Sequence, residues 1–222
     1  MPGAVGERQG WWLAAACALV FVVDLLMVAT STGLARWDAP VLEWMVAHRT
    51  SGLTDWWHAV TTVFGPVVLP VVVGVGCVLW WLLSRSVRRP VLLAVAMACE
   101  AVASLLLKAV IDRPRPPDVA QVVPGAVVTH SFPSGHTMGT AALTFGLLVL
   151  LAEPCRGRAW WWTGSLLAGA VTTLVALSRL YLGYHYLTDV VAGFAGGLVV
   201  VGLLAVVAAR TRPPTLPPPT LP

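Results

Sequence analysis

Six stretches of this chain are apolar for long enough to cross a lipid bilayer: 11–30, 59–83, 91–110, 136–152, 160–178 and 188–209. A spanning helix needs roughly 20 such residues. In hydrocarbon, a helix or a closed barrel is the only way to satisfy every backbone polar group. Together these facts select an all-α, polytopic membrane helix bundle with six transmembrane helices. Composition agrees: 58% of the 222 residues are hydrophobic and 11% are charged, against roughly 25% charged in an ordinary soluble domain. A soluble fold of this size has too much wet surface to hide so much apolar area. A typical cytosolic enzyme, a disordered chain and a nucleic-acid binder are therefore excluded. The net charge of +4 comes from arginines scattered between apolar runs and a single lysine.

The expected organisation is a cytoplasmic tail at 1–10, a membrane domain at 11–209 and a Pro-rich tail at 210–222. The tail holds six prolines from Thr211 onward and cannot form a packed helix. The first run is not read as a cleaved signal peptide, because Glu7 offsets Arg8 ahead of it and Asp24 interrupts it. With both termini in the cytoplasm, the inner side carries Arg8, Arg85, Arg88, Arg89, Arg156, Arg158, Arg210 and Arg212. The outer side carries Arg36, Arg49, Lys108, Arg113, Arg115 and Arg179. The last four belong to a polar constellation with its own reason to be there, and without them the pattern is positive-inside. Segment 34–58, with Trp37, Trp44, Trp56 and Trp57 among charged residues, suits an interfacial helix or loop at headgroup level. Cys17, Cys77, Cys99 and Cys155 form no C-x-x-C pair and read as small buried hydrophobes.

Ionisable groups near a membrane are expensive, and here they gather in three places. Lys108 to Pro116 ends the third run, Ser131 to His136 opens the fourth, and Ser178 to Asp189 joins the fifth to the sixth. Six spans put all three on one outer face. Lys108 and Arg115 flank a turn stiffened by Pro114, Pro116 and Pro117, and fixed cations suit a multiply charged anion. Ser134 reads as a helix N-cap, followed by Gly135, where backbone can approach a ligand, and His136. The free N–H groups of such a first turn favour an anion. His185 and Asp189, spaced i, i+4, would set a carboxylate beside an imidazole on one helix face. Each cluster alone also has a plain structural reading: anchoring cations, a capped helix, or a His–Asp pair.

Together the three clusters resemble the signature motifs of the type 2 phosphatidic acid phosphatase superfamily, which also includes vanadium haloperoxidases. The motifs K-x6-R-P, P-S-G-H and S-R-x5-H-x3-D match Lys108 with Arg115-Pro116, Pro133 to His136, and Ser178-Arg179 with His185 and Asp189. The resemblance implies that His185 is the nucleophile, Asp189 its orienting carboxylate and His136 the general acid. It implies a phosphate cradle of Lys108, Arg115, Ser134, Gly135 and Arg179. The implied activity is metal-independent hydrolysis of lipid phosphates through a phosphohistidine, on the extracytoplasmic side of the cell membrane, with no cofactor. Candidate substrates are phosphatidic acid, phosphatidylglycerophosphate and polyprenyl pyrophosphates. Transfer of the phosphoryl group to another acceptor uses the same first step. A transporter with an anion-binding vestibule is the reading from another class, and it fits less well because the charges sit at span ends. The richness in Ala, Val, Trp and Arg suits a GC-rich bacterial genome.

The remaining polar residues are less telling. Asp24 and Glu100 lie within spans and read as paired bundle-interior groups. Glu100, Ser104 and Lys108 follow i, i+4 steps. Arg113 is a second candidate anion ligand beside Arg115, while His48, His58 and His130 match nothing. Gly193 and Gly197 form a G-x-x-x-G that suits close packing inside the bundle.

Overall fold

The computed structural model describes residues 6–125, 129–152 and 157–212. The Cys155–Arg156 loop and most of the Pro-rich tail lie outside the described residues. Among the described residues every regular element is helical: α1 (Glu7–Thr30), α2 (Asp38–Ala47), α3 (Ser51–Val63), α4 (Val68–Ser84), α5 (Arg88–Ile111), α6 (Gly135–Leu151), α7 (Arg158–Tyr181) and α8 (Leu187–Arg210). Two short 3-10 turns, Gly33–Trp37 and Asp118–Ala120, complete the set.

Helix limits follow from local chemistry. α1, α4 and α5 stop where Ser31, Arg85 and Asp112 turn into the left-handed region, with φ near 50°. Pro114, Pro116 and Pro117 then bar any continuation of α5. The apolar run 59–83, expected as one span, is instead a bent pair. α3 and α4 meet at 47°, because Pro66 has no N–H to carry the helix and the chain turns at Gly65. The Trp-rich segment expected at the interface becomes a 3-10 turn, α2 and the first half of α3. Trp37, Trp44 and Trp56 are exposed, while Trp57 packs against Tyr181.

Four helices (α1, α5, α7 and α8) are long and apolar enough to span a bilayer, and the bent α3–α4 pair makes five. α6 has 17 residues, about 26 Å at 1.5 Å per residue, short of a hydrocarbon core of about 30 Å. Its burial explains why it needs no lipid-facing length: α5, α7 and α8 pack around it. The outer surface is apolar, with Val71, Leu83, Val110 and Leu166 among many exposed large side chains. In water such patches would drive association; against lipid they are solvated.

α8 is the central post, flanked by α1 and α6. Glycine makes the approach close. A Cβ on Gly193 would lie 2.6 Å from the Ser134 carbonyl oxygen, and one on Gly197 2.6 Å from that of Met138. The G-x-x-x-G therefore packs α8 onto α6 within the bundle. On the opposite flank Gly10 and Gly202 meet in the same way, a Cβ on either lying 2.7 Å from the other's carbonyl oxygen. Gly197→Val should cost about 1–3 kcal/mol through forced backbone separation, read as a lower melting temperature in mild detergent. Gly169→Val on α7 is the control, since nothing lies within 4 Å of a Cβ there. Equal melting temperatures for the two variants would contradict this packing.

Candidate active site

Four helix ends meet at one end of the bundle. Lys108 lies in the last turn of α5, Ser134 to His136 open α6, Arg179 lies in the last turn of α7, and His185 and Asp189 bracket the start of α8. Arg115 comes from the Pro-rich turn after α5. All eight expected residues are thus gathered within one cluster. His136 has Arg179, His185, Arg115 and Lys108 as its charged or titratable surroundings.

The His185–Asp189 pair forms, but by a different route from the i, i+4 helix face. His185 precedes α8 by two residues. Asp189, the third residue of α8, reaches back over the helix start, where its Oδ2 accepts from the Tyr186 N–H at 2.8 Å. His185 Nδ1 meets the same oxygen at 3.2 Å. A carboxylate only accepts, so Nδ1 carries the proton. On the far side of the ring, Arg115 Nη1 lies 3.3 Å from Nε2. A guanidinium only donates, so Nε2 presents its lone pair. The two contacts together assign the tautomer. Ser131 Oγ, which sequence reasoning left without a role, also donates to Asp189 Oδ2.

The cations divide their work. Lys108 Nζ donates to the His130 and Pro133 carbonyls at 3.0 and 2.5 Å, bracing the loop that leads into α6. Above it on α5, Ser104 and Glu100 face Gly135 and Gly139 of α6, so the expected polar stripe does line the interior. Arg115 donates through Nε to the Thr129 carbonyl at 2.6 Å and through Nη1 to that of Tyr184 at 2.5 Å. Arg179 is buried, donates from Nη1 to Thr61 Oγ1 at 2.8 Å and lies over the Tyr184 ring, 4.5 Å from its centroid. Its Nε is buried without a partner, a charged donor still available to an anion. Ser134 sits at the N-cap, but its hydroxyl does not cap the helix; it accepts from Thr137 Oγ1 at 3.2 Å. The α3–α4 elbow closes over His136, since a Cβ on Gly65 would come 3.6 Å from His136 Nε2.

Thr61, Tyr184 and Ser131 were not foreseen as contributors, nor was Asp38. Arg113, weighed as an anion ligand, instead bonds Asp189 Oδ1 and Asp38 Oδ2, each at 2.6 Å. Asp24, expected to be paired, is buried in α1 with no hydrogen-bond partner for either oxygen.

Residues 89–215 match the family model described as the PAP2 superfamily. The chain belongs to the PAP2 superfamily. It is 37% identical over 97 residues to phosphatidylglycerophosphatase B of Bacillus subtilis, covering 42% of this chain and 45% of that protein. It is 42% identical over 89 residues to decaprenylphosphoryl-5-phosphoribose phosphatase of Mycolicibacterium smegmatis, covering 39% and 42%. The chain thus spans under half the length of these curated relatives. Its fold is similar to the crystal structure of a transmembrane PAP2-type phosphatidylglycerolphosphate phosphatase from Bacillus subtilis, with a TM-score of 0.76 at 24% identity, over 90% of this chain and 98% of the other.

Burial, aided by Arg115, Arg179 and Lys108, holds the His185 pKa well below its usual value. The sign of the linkage follows. In the unfolded PAP2 chain His185 takes a proton near pH 6.5, while the folded ring stays neutral to lower pH. Stability from this residue is therefore lost as pH falls below about 6.5, by up to about 1.4 kcal/mol per pH unit. Between pH 6.5 and 5 the wild type should lose stability more steeply than His185→Gln, measured by melting in mild detergent. Parallel pH profiles for the two would contradict the buried neutral ring.

Proposed function

We propose that this chain is a membrane lipid phosphatase that works through a phosphohistidine on His185. The observation that carries the reading is the tautomer: Asp189 holds the proton on Nδ1, which leaves the Nε2 lone pair facing Arg115, with the charges of Arg179 and Lys108 also acting on the ring. Nε2 attacks phosphorus, and Asp189 stabilises the imidazolium that forms. The charge on the equatorial oxygens meets Arg115, the free Nε of Arg179, the field of Lys108, the Ser134 hydroxyl and the Gly135 N–H at the start of α6. His136, at the same helix start, protonates the departing oxygen and then takes a proton from water, which cleaves the phosphohistidine.

An apolar outer surface favours a substrate delivered from the bilayer, such as a phosphatidic acid, a phosphatidylglycerophosphate or a polyprenyl pyrophosphate. The relatives' names point the same way. We further propose six crossings, with α6 as the shortest, both termini cytoplasmic, and the site facing outward from the plasma membrane. The domain limits follow: a cytoplasmic tail at 1–10, the phosphatase domain at 11–209 and a Pro-rich tail at 210–222.

The reaction is expected to need no metal, since the cations and the helix start supply the positive charge that a divalent ion would otherwise bring. Phosphate release from a panel of these lipids should persist in excess EDTA and be inhibited by vanadate. Arg179→Gln should weaken vanadate inhibition about tenfold or more, the loss of a charge-assisted hydrogen bond. Activity abolished by EDTA and restored by magnesium would overturn the mechanism.

Orientation has its own test. In a background with Cys17, Cys77 and Cys99 replaced, Cys155 should escape a membrane-impermeant thiol reagent on intact cells. A cysteine at Val119, which is fully exposed, should react once Cys155 is also replaced. The reverse labelling would place the site in the cytoplasm.

A further inference from the structure

Two charged residues back the His185–Asp189 pair without touching the imidazole. Arg113 is not among the specified positions of K-x6-R-P. Asp38, on α2, lies outside the residues that match the family model. The two are 75 positions apart in sequence, yet their side chains meet at 2.6 Å. Both are largely shielded from solvent, with side-chain exposures of 15% and 7%.

The arrangement has a specific logic. A guanidinium facing a carboxylate prefers the two-pronged pair, one N–H to each oxygen. Such a pair between Arg113 and Asp189 would draw both Asp189 oxygens toward Arg113 and turn Oδ2 from His185. The structure shows a divided fork instead. Arg113 Nη1 donates to Asp189 Oδ1 at 2.6 Å and to Thr188 Oγ1 at 2.7 Å. Its Nη2 is taken by Asp38 Oδ2. Asp189 Oδ2 is left for the Tyr186 N–H, Ser131 and His185 Nδ1. Asp38 is itself pinned: its Oδ1 accepts from the Thr188 N–H at 3.0 Å and its Oδ2 from the Thr188 hydroxyl at 2.8 Å. The Tyr186 ring lies under the guanidinium, 4.6 Å from centroid to Cζ, and fixes its plane.

We propose that Asp38 and Arg113 are a positioning pair for the reaction, in which Asp38 occupies one arm of Arg113 so that Asp189 keeps Oδ2 on His185 Nδ1. The proposal rests on the reading of His185 as the nucleophile, and it extends the working site to α2. Neither residue contacts the phosphate in this scheme. Their influence passes through Asp189 alone, so it bears on the attack by Nε2 and not on substrate affinity.

The test is a double-mutant cycle with a lipid phosphate and purified protein. Asp38→Asn should lower kcat by about tenfold, the scale of losing one charge-assisted hydrogen bond, with KM changed less than about twofold. Thr188→Val, a milder change, should move kcat in the same direction by a smaller factor. In an Asp189→Asn background, followed by single turnover at high enzyme concentration, adding Asp38→Asn should cost less than about twofold, because the route is already cut. A purely structural Asp38 would cost the same factor in both backgrounds, and that result overturns the proposal. So does a loss seen in KM alone. If Asp38→Asn does not yield folded protein, Arg113→Lys and Thr188→Val carry the same cycle.

A second readout does not depend on turnover. 15N-histidine NMR of the detergent-solubilised chain, with His185 assigned from His185→Gln, should show the Nδ1–H tautomer in the wild type and a mixture in Asp38→Asn. An unchanged His185 signal in Asp38→Asn overturns the pair. A wild type that releases no phosphate from any substrate while the tautomer does shift overturns the phosphatase reading and leaves the pair standing.

Discussion

The site depends on one carboxylate. Asp189 is fully buried at the start of α8, and its two oxygens gather donors from three segments. These are Arg113 from the turn after α5, Ser131 from the loop before α6, and the His185–Tyr186 step into α8. A buried carboxylate with so many donors is held in place, since withdrawing any one of them leaves charge unpaired in a dry environment. Its backbone takes part too: the Asp189 carbonyl accepts the Ser134 N–H at 2.8 Å. That bond ties the first turn of α6 to the first turn of α8. The residue that orients the imidazole thereby also sets the spacing between the two histidine-bearing segments.

The glycines of α8 serve the same end. Gly193 lets the Ser134 carbonyl approach, and Gly197 repeats the contact one turn further on. Close packing of α6 against α8 is therefore a condition for the site and not a separate feature of the bundle. Gly183 plays a comparable part between α7 and α8. With φ at +75°, it places the chain where a Cβ would overlap the Ala120 carbonyl. Arg49 closes the same corner, donating to the Tyr181 and Ala120 carbonyls. The three tyrosines of the chain cluster here, Tyr181 as the last residue of α7 and Tyr184 and Tyr186 in the connection to α8. One binds the Thr50 backbone through its hydroxyl, and the other two support Arg179 and Arg113.

Much of this was legible in the sequence because it is local. The three motifs have fixed internal spacings, and alternation of the apolar runs brings them to one end of the bundle. The helical class followed from apolar length alone. What the sequence hid was long-range or masked by apolarity. Asp38 meets Thr188 across 150 positions, and nothing in the Trp-rich segment around it marks a partner. Hydropathy runs unbroken through the α3–α4 elbow, and only the Gly65-Pro66 breaker marks it in the sequence. The i, i+4 spacing of His185 and Asp189 predicts their contact but does not tell a helix face from the helix start at which it forms. Ser134 was well placed as a cap, yet Thr137 claims its hydroxyl.

In the proposed mechanism His185 Nε2 receives the phosphoryl group. The most direct measurement is rapid-quench trapping on the His136→Gln variant with a labelled nitrophenyl phosphate, whose leaving group needs little protonation, followed by mapping of the modified residue by mass spectrometry. Acid-labile, base-stable phosphate on His185 is expected. Label on another side chain, or turnover in His185→Ala with no phosphohistidine in either variant, would contradict it.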